Sequence, residues 1–249
     1  MSTTIAAPRP SEAPSKSFLS RFCGVYFSPG ETFEDIVRKP SFLAPLLTLI
    51  VASLAVTETM LVKIGMQRII RISLEQSGQA AKMSPEQLDK AVQGGATVGI
   101  VLAHAFAVLG TPVFLLIVAG IGLGIINAIF GARANFKTTF SVSCYASLVN
   151  VLGALMGIVM ILFGDTEHFN IQNPVPSNLG FFLNQAETSK PVYSLAGSVD
   201  FLSLWLIVLL GIGMSRAAGG KVKSATVSVI YLGMWLIWVL GKAGLSLLG

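Results

Sequence analysis

The sequence predicts an all-α integral membrane protein, with five transmembrane helices and an amphipathic interfacial helix ahead of them. Three observations carry this reading. Hydrophobic residues make up 53% of the chain and charged residues 12%, with mean hydropathy +0.74, too few charges to cover a water-facing surface. Apolar runs of about 20 residues recur, the length that crosses roughly 30 Å of hydrocarbon as a helix. The Lys and Arg residues lie mostly between those runs, so the pI near 9.4 fits positive-inside topology better than nucleic-acid binding.

Residues 1–17, "MSTTIAAPRPSEAPSKS", are Pro/Ser/Ala-rich and have no hydrophobic core of a signal peptide, so they read as a disordered tail. Residues 18–41 read as a cytoplasmic, interfacial segment. Phe18, Phe22 and Tyr26 fall at i, i+4 and i+8 in it. The stretch "SPGETFEDIVRKP" follows, where Ser28, Pro29 and Glu31 spell a capping box and Pro40 stops the helix. Phe33, Ile36 and Val37 form one apolar stripe. Glu31, Glu34 and Asp35 lie toward the N-terminus and Arg38 and Lys39 toward the C-terminus, as the helix dipole favours. Glu34 with Arg38 and Asp35 with Lys39 are expected i, i+4 pairs, each worth ~0.2–0.5 kcal/mol. A helix of about ten residues is marginal in water. Phe33, Ile36, Val37, Arg38 and Lys39 are therefore expected to rest on the bilayer surface or to dock a partner.

The membrane domain is read over residues 42–249. Its first span covers about 42–62, with Glu58 as the only charge. Residues 96–130 are 35 positions without a formal charge, about 52 Å as one helix. A hairpin at Pro112 would put "GARANFK" and the acidic "GDTEH" on the wrong sides relative to the basic N-terminal region. One long helix is therefore expected, crossing at about 108–130, kinked near Pro112, and starting at Ser84, Pro85 and Gln87, a second capping-box spelling. The remaining spans are read at about 140–163, 195–214 and 225–248. Inner segments then carry ten Lys and Arg and outer segments seven, which places the N-terminus in the cytoplasm and the C-terminus outside.

Glu58, His104 and Asp200 are the candidate site residues, because ionisable groups near or within spans mark function by default. Snorkelling, local pairing of Glu58 with Lys63, and helix capping by Asp200 are the structural alternatives. Asn127 and Asn150 are expected to bond between helices, and the Gly120/Gly124 and Gly153/Gly157 spacings to support close packing. Cys23 and Cys144 lie far apart with no Cys/His spacing, so no metal site is read. No HExxH, GxSxG, P-loop or paired-carboxylate motif appears, so no catalytic residue and no cofactor is assigned.

Three blocks taken in order, "SPGETFEDIVRKPSFLAPLL", "FGARANFKTTFSVSCYASLVN" and "VDFLSLWLIVLLGIGMSRAAGGKVKSATVSVIY", resemble the Yip1-domain family as found in bacteria. The resemblance implies a five-span integral membrane protein with a cytoplasmic N-terminus; the expected location is a bacterial inner membrane, and with no catalytic constellation a non-enzymatic role is expected. Eukaryotic relatives act in vesicle trafficking with Rab GTPases. This chain shows "FSPGETF" where those carry an acidic-Tyr-Gly-Pro-Trp type motif. The leading expectation is a membrane scaffold or organising protein, its partners the lipid bilayer and a cytoplasmic protein. The alternative is a small transporter or channel component with Glu58, His104 and Asp200 at an outer polar vestibule.

Overall fold

The computed structural model describes residues 15–164, 170, 173–185 and 187–246, so the expected tail falls almost wholly outside the described residues. Helices α1 (Phe18–Phe27) and α2 (Pro29–Arg38) form a tight hairpin. Ser28 closes the first, donating its N–H to the Gly24 carbonyl, and opens the second. Serving both helices leaves it at φ −145, ψ 57, and its side chain makes no capping bond. The expected box with Glu31 is therefore not formed; the Ser28 carbonyl instead accepts from Thr32 Oγ1 at 2.9 Å. The two helices approach so closely that a Cβ on Gly24 would collide with the Thr32 hydroxyl.

Helix α3 (Leu43–Lys63) follows Pro40. Gly65 turns the chain at φ 86, a backbone region glycine enters without a Cβ penalty, into α4 (Met66–Gln76). The next rod is built from α5 (Pro85–Ala105), a π-helical turn at Phe106–Gly110, α6 (Thr111–Gly124) and a second π turn at Ile125–Ile129. It is one helical rod of 45 residues, Pro85–Ile129, and not a hairpin at Pro112. Proline lacks an N–H and crowds the preceding turn; the widened turn just before it accommodates both. Here the capping box does form. Ser84 Oγ accepts the Gln87 N–H at 3.2 Å and Gln87 Oε1 accepts the Ser84 N–H at 2.9 Å.

Helices α7 (Phe136–Ala146) and α8 (Val149–Phe163) form a second rod, broken at Ser147–Leu148. Then come α9 (Lys190–Ser198), α10 (Phe201–Ala217) and α11 (Ser224–Leu245). The span expected at about 195–214 is thus split at Val199–Asp200. There the Leu179 N–H donates to the Val199 carbonyl at 3.2 Å and the Phe201 N–H to the Ser177 carbonyl at 2.9 Å, in an antiparallel bridge between Asn178 and Asp200. Among the described residues four helices are long and apolar enough to cross a membrane: Leu43–Lys63, Pro85–Ile129, Phe136–Phe163 and Ser224–Leu245. Helix α10 is the shorter apolar one, 17 residues or about 25 Å.

Helix α7 sits at the centre of the core. Every residue from Thr138 to Ala146 is buried, against α1, α2, α3, α6 and α10. A Cβ on Gly213 would press into Val142 and Phe33, so α10 lies directly on α7 and α2. Of the expected glycine pairs, Gly120 and Gly124 face open space, whereas Gly153 meets Leu202. Large apolar side chains such as Leu102, Phe106, Ile117, Ile237 and Trp238 are exposed along the long helices, which is the surface a bilayer covers.

Candidate functional site

Three connections meet at one end of the bundle: the α1–α2 hairpin, the turn between the second π turn and α7, and the turn between α10 and α11. Arg216 reaches Glu34 at 2.9 Å, and Lys221 Nζ donates to the Gly131 carbonyl. The hub is Arg21, only 4% exposed. Its Nε donates to Asp35 Oδ2 at 2.8 Å and one terminal nitrogen to Ser41 Oγ at 2.8 Å. The other donates to the carbonyls of Asp35 and Lys39 at 3.2 and 3.1 Å, sharing the first with the Lys39 N–H and satisfying the second, which lies beyond the end of α2. The Tyr145 ring lies 5.7 Å from the guanidinium, a cation–π arrangement.

Asp35 also accepts from Arg38 at 2.7 Å and from the Lys16 N–H at 3.1 Å. The pairs expected within α2, Glu34 with Arg38 and Asp35 with Lys39, give way to these longer-range partners. Burial pushes the Asp35 carboxyl up, but the hydrogen bonds from Arg38 and Arg21 outweigh it and hold it below the usual carboxylate range. Tyr26 is pushed up to about 12, by burial first and by Cys23 second. It stays protonated and donates to the Leu148 carbonyl at 2.6 Å, across the α7–α8 break.

The apolar stripe of α2 is consumed inside the protein. Phe33 and Ile36 are 0% exposed and belong to the main core, with Val37 packed against it. The expected docking or bilayer-resting face therefore points at α7 and α10, because those helices offer it apolar surface first. Arg38 and Lys39 remain exposed. So do Leu19, Cys23 and Phe27, the outer row of α1. The sequence does not mark Arg21 as a hub, because its hydrogen-bond partners lie 14 to 20 residues on; a base set among Phe18, Phe22 and Tyr26 is the local signal it carries.

Beside this hub lies a cleft of about 480 Å³, lined by Lys16, Arg21, Lys39, Ser41, Lys137 and Tyr145 among others. It joins the α1–α2 hairpin to the start of α3 and to α7, and among the described residues no acidic one lines it. At the opposite end, His104 Nε2 meets Glu58 Oε1 at 2.5 Å while Nδ1 donates to the Ile100 carbonyl at 2.8 Å. Glu58 thus pairs with α5, not with Lys63. Asp200 is elsewhere: its Oδ2 accepts from the Ser203 N–H and hydroxyl at 2.8 and 2.6 Å, capping α10. Among the described residues it makes no bond to Glu58 or His104. Asn127 bonds Ala134 in both directions within its own turn rather than between helices.

Long apolar helices, an apolar surface and charges gathered at the helix ends define a polytopic integral membrane protein. The Yip1 domain model matches residues 23–243, and the chain belongs to that family, one of generally non-enzymatic membrane proteins. It is 26% identical over 209 residues to "Membrane protein YknW" of Bacillus subtilis (strain 168), covering 84% of this chain and 83% of that protein. No solved structure matches it.

Proposed function

We propose that this protein is a five-span membrane scaffold, cytoplasmic at its N-terminus, that holds anionic headgroups or acidic partners at its basic end. The fifth crossing is α10 together with the segment unwound at Val199–Asp200. Charge supports the orientation. Over the whole chain the proposed inner segments carry ten Lys and Arg against four Asp and Glu, and the outer ones seven against eight. The observation that carries the reading is the basic cleft beside Arg21. Lys39 and Lys137 are exposed there and make no ion pair among the described residues, while the acids nearby are engaged with Arg21, Arg38, Lys16 and Arg216. A phosphate at this height would meet lysines from two separate elements.

The test is Lys39→Glu with Lys137→Glu in the full chain. Purified wild type is expected to retain phosphatidylglycerol several-fold over phosphatidylcholine after detergent extraction. The double variant is expected to lose that preference and the cytoplasmic proteins cross-linked to the wild type in native membranes. If both survive the charge reversal, the reading fails.

A further inference from the structure

We infer that a second site lies within the membrane, between α3, the first π turn and α8, and that it takes an uncharged lipid carrying a hydroxyl or carbonyl group. The inference is independent of the basic cleft. Two breaks in regular helix meet at one cavity: the π turn at Phe106–Gly110 ahead of Pro112, and the interruption at Ser147–Leu148. The cavity measures about 420 Å³ and is lined by apolar side chains together with Ser53, Thr111, Ser147 and Asn150. Its size lies in the range of small-molecule sites. Irregular backbone at membrane depth is tolerated where it is covered by protein or lines a cavity, and π turns gather at functional sites.

The bonding of the polar side chains is what points to a ligand. Several hydroxyls elsewhere in the helices fold back onto the carbonyl four residues earlier: Thr48 on Ala44, Thr57 on Ser53, Thr59 on Ala55, Ser141 on Lys137; Ser143 and Ser194 are buried without a partner, but neither lines this cavity. Among the described residues, none of the side chains of Ser53, Thr111, Ser147 and Asn150 makes a hydrogen bond. Ser147 is 2% exposed and its Oγ is buried without a partner. Asn150 presents a whole amide on an exposed helix face. Bare polar groups of this kind are costly in hydrocarbon, so three hydroxyls and an amide around one cavity form a receptor for hydrogen-bonding oxygens.

The lining also sets the ligand's charge and depth. Among the described residues no ionisable one lines the cavity, so a phosphate or carboxylate would be left without a counter-charge. Ser53 lies ten residues from either end of Leu43–Lys63, about 15 Å from each, near the middle of the bilayer and far from phospholipid headgroups. A neutral lipid can carry its oxygen to that depth.

The full-length protein in nanodiscs is photolabelled with three diazirine probes: a fatty alcohol, an isoprenoid alcohol and a phosphatidylglycerol. Saturable labelling by a neutral probe is expected within residues 49–54, 106–115 and 147–154, displaced by excess unlabelled alcohol. The two alcohols separate acyl from isoprenoid ligands. Asn150→Leu with Ser147→Ala is expected to weaken labelling about tenfold, as the loss of two hydrogen bonds implies. Ala154→Phe, which fills the cavity and leaves the polar groups, should abolish it. Displacement on the wild type requires no variant to fold. Unsaturable labelling, equal labelling by the phosphatidylglycerol probe, or a dimer cross-linked through Asn150 that disappears with Asn150→Leu would each overturn the site.

Discussion

The clasp around Arg21, built on the short helices α1 and α2, and the cavity around Asn150, built on the long rods, treat polar groups in opposite ways. In the clasp, every guanidinium nitrogen of Arg21 has an acceptor, and Asp35 accepts from Arg21, Arg38 and the Lys16 backbone. In the cavity, three hydroxyls and an amide make no hydrogen bond among the described residues. A satisfied buried network rigidifies a fold, whereas an unsatisfied one is a liability unless something outside the chain completes it. The contrast separates what holds the protein together from what it holds.

Breaking the clasp should have the largest effect. Arg21→Met leaves the Lys39 carbonyl without its donor and takes from the buried Asp35 carboxylate one of its charged partners, leaving it Arg38 and the Lys16 N–H, and should cost ~1.5–3 kcal/mol. Unfolding in mild detergent, followed by tryptophan fluorescence, measures it. A loss under ~1 kcal/mol would place the clasp among ordinary surface pairs and remove one side of the contrast.

A smaller effect should come from pH, through Asp35. Its carboxyl is held below the usual range in the folded protein, so the charged form is favoured there more than in the unfolded chain. The resulting stability is present above the unfolded pKa, about 3.9, and lost as pH falls through the lower folded value. The gap in melting temperature between wild type and Asp35→Asn should therefore be constant near neutrality and narrow below about pH 4. A gap that widens on acidification would mean that Arg21 and Arg38 do not stabilise the charged form.

Much of this arrangement is written locally and some of it is not. The long rod was legible because charge-free positions and a capping box at Ser84 are local signals. The length of α2 was legible from Pro29 and Pro40. The failure at Ser28 has a local cause as well, since one residue ends α1 and begins α2 and cannot hold N-cap geometry. The partners of Glu34 and Asp35 were not legible. Arg216 comes from the far end of α10, and Arg21 arrives only when two helices fold together. The split at Val199–Asp200 depends on Ser177 and Leu179 pairing back from a preceding loop, which a "VD" inside an apolar run does not announce. Candidate site residues fared unevenly for the same reason. Glu58 and His104 meet across 46 positions, whereas Asp200 is taken by the Ser203 three residues on.

The smallest effect belongs to the hairpin of α4 and α5, where pairs are solvated rather than buried. Glu86 and Lys90 lie 3.1 Å apart with side chains 81% and 76% exposed, in the favourable Glu-before-Lys order on the first turns of α5. Water and salt screen such a pair, and holding two long side chains in one geometry offsets most of the attraction. Lys90→Ala should therefore change stability by no more than ~0.5 kcal/mol, and by less still at high salt, in the same detergent unfolding assay that registers Arg21→Met. If Lys90→Ala cost as much as the clasp mutation, exposure would not be what separates the two ends. The α4–α5 hairpin would then be as tightly integrated as the clasp.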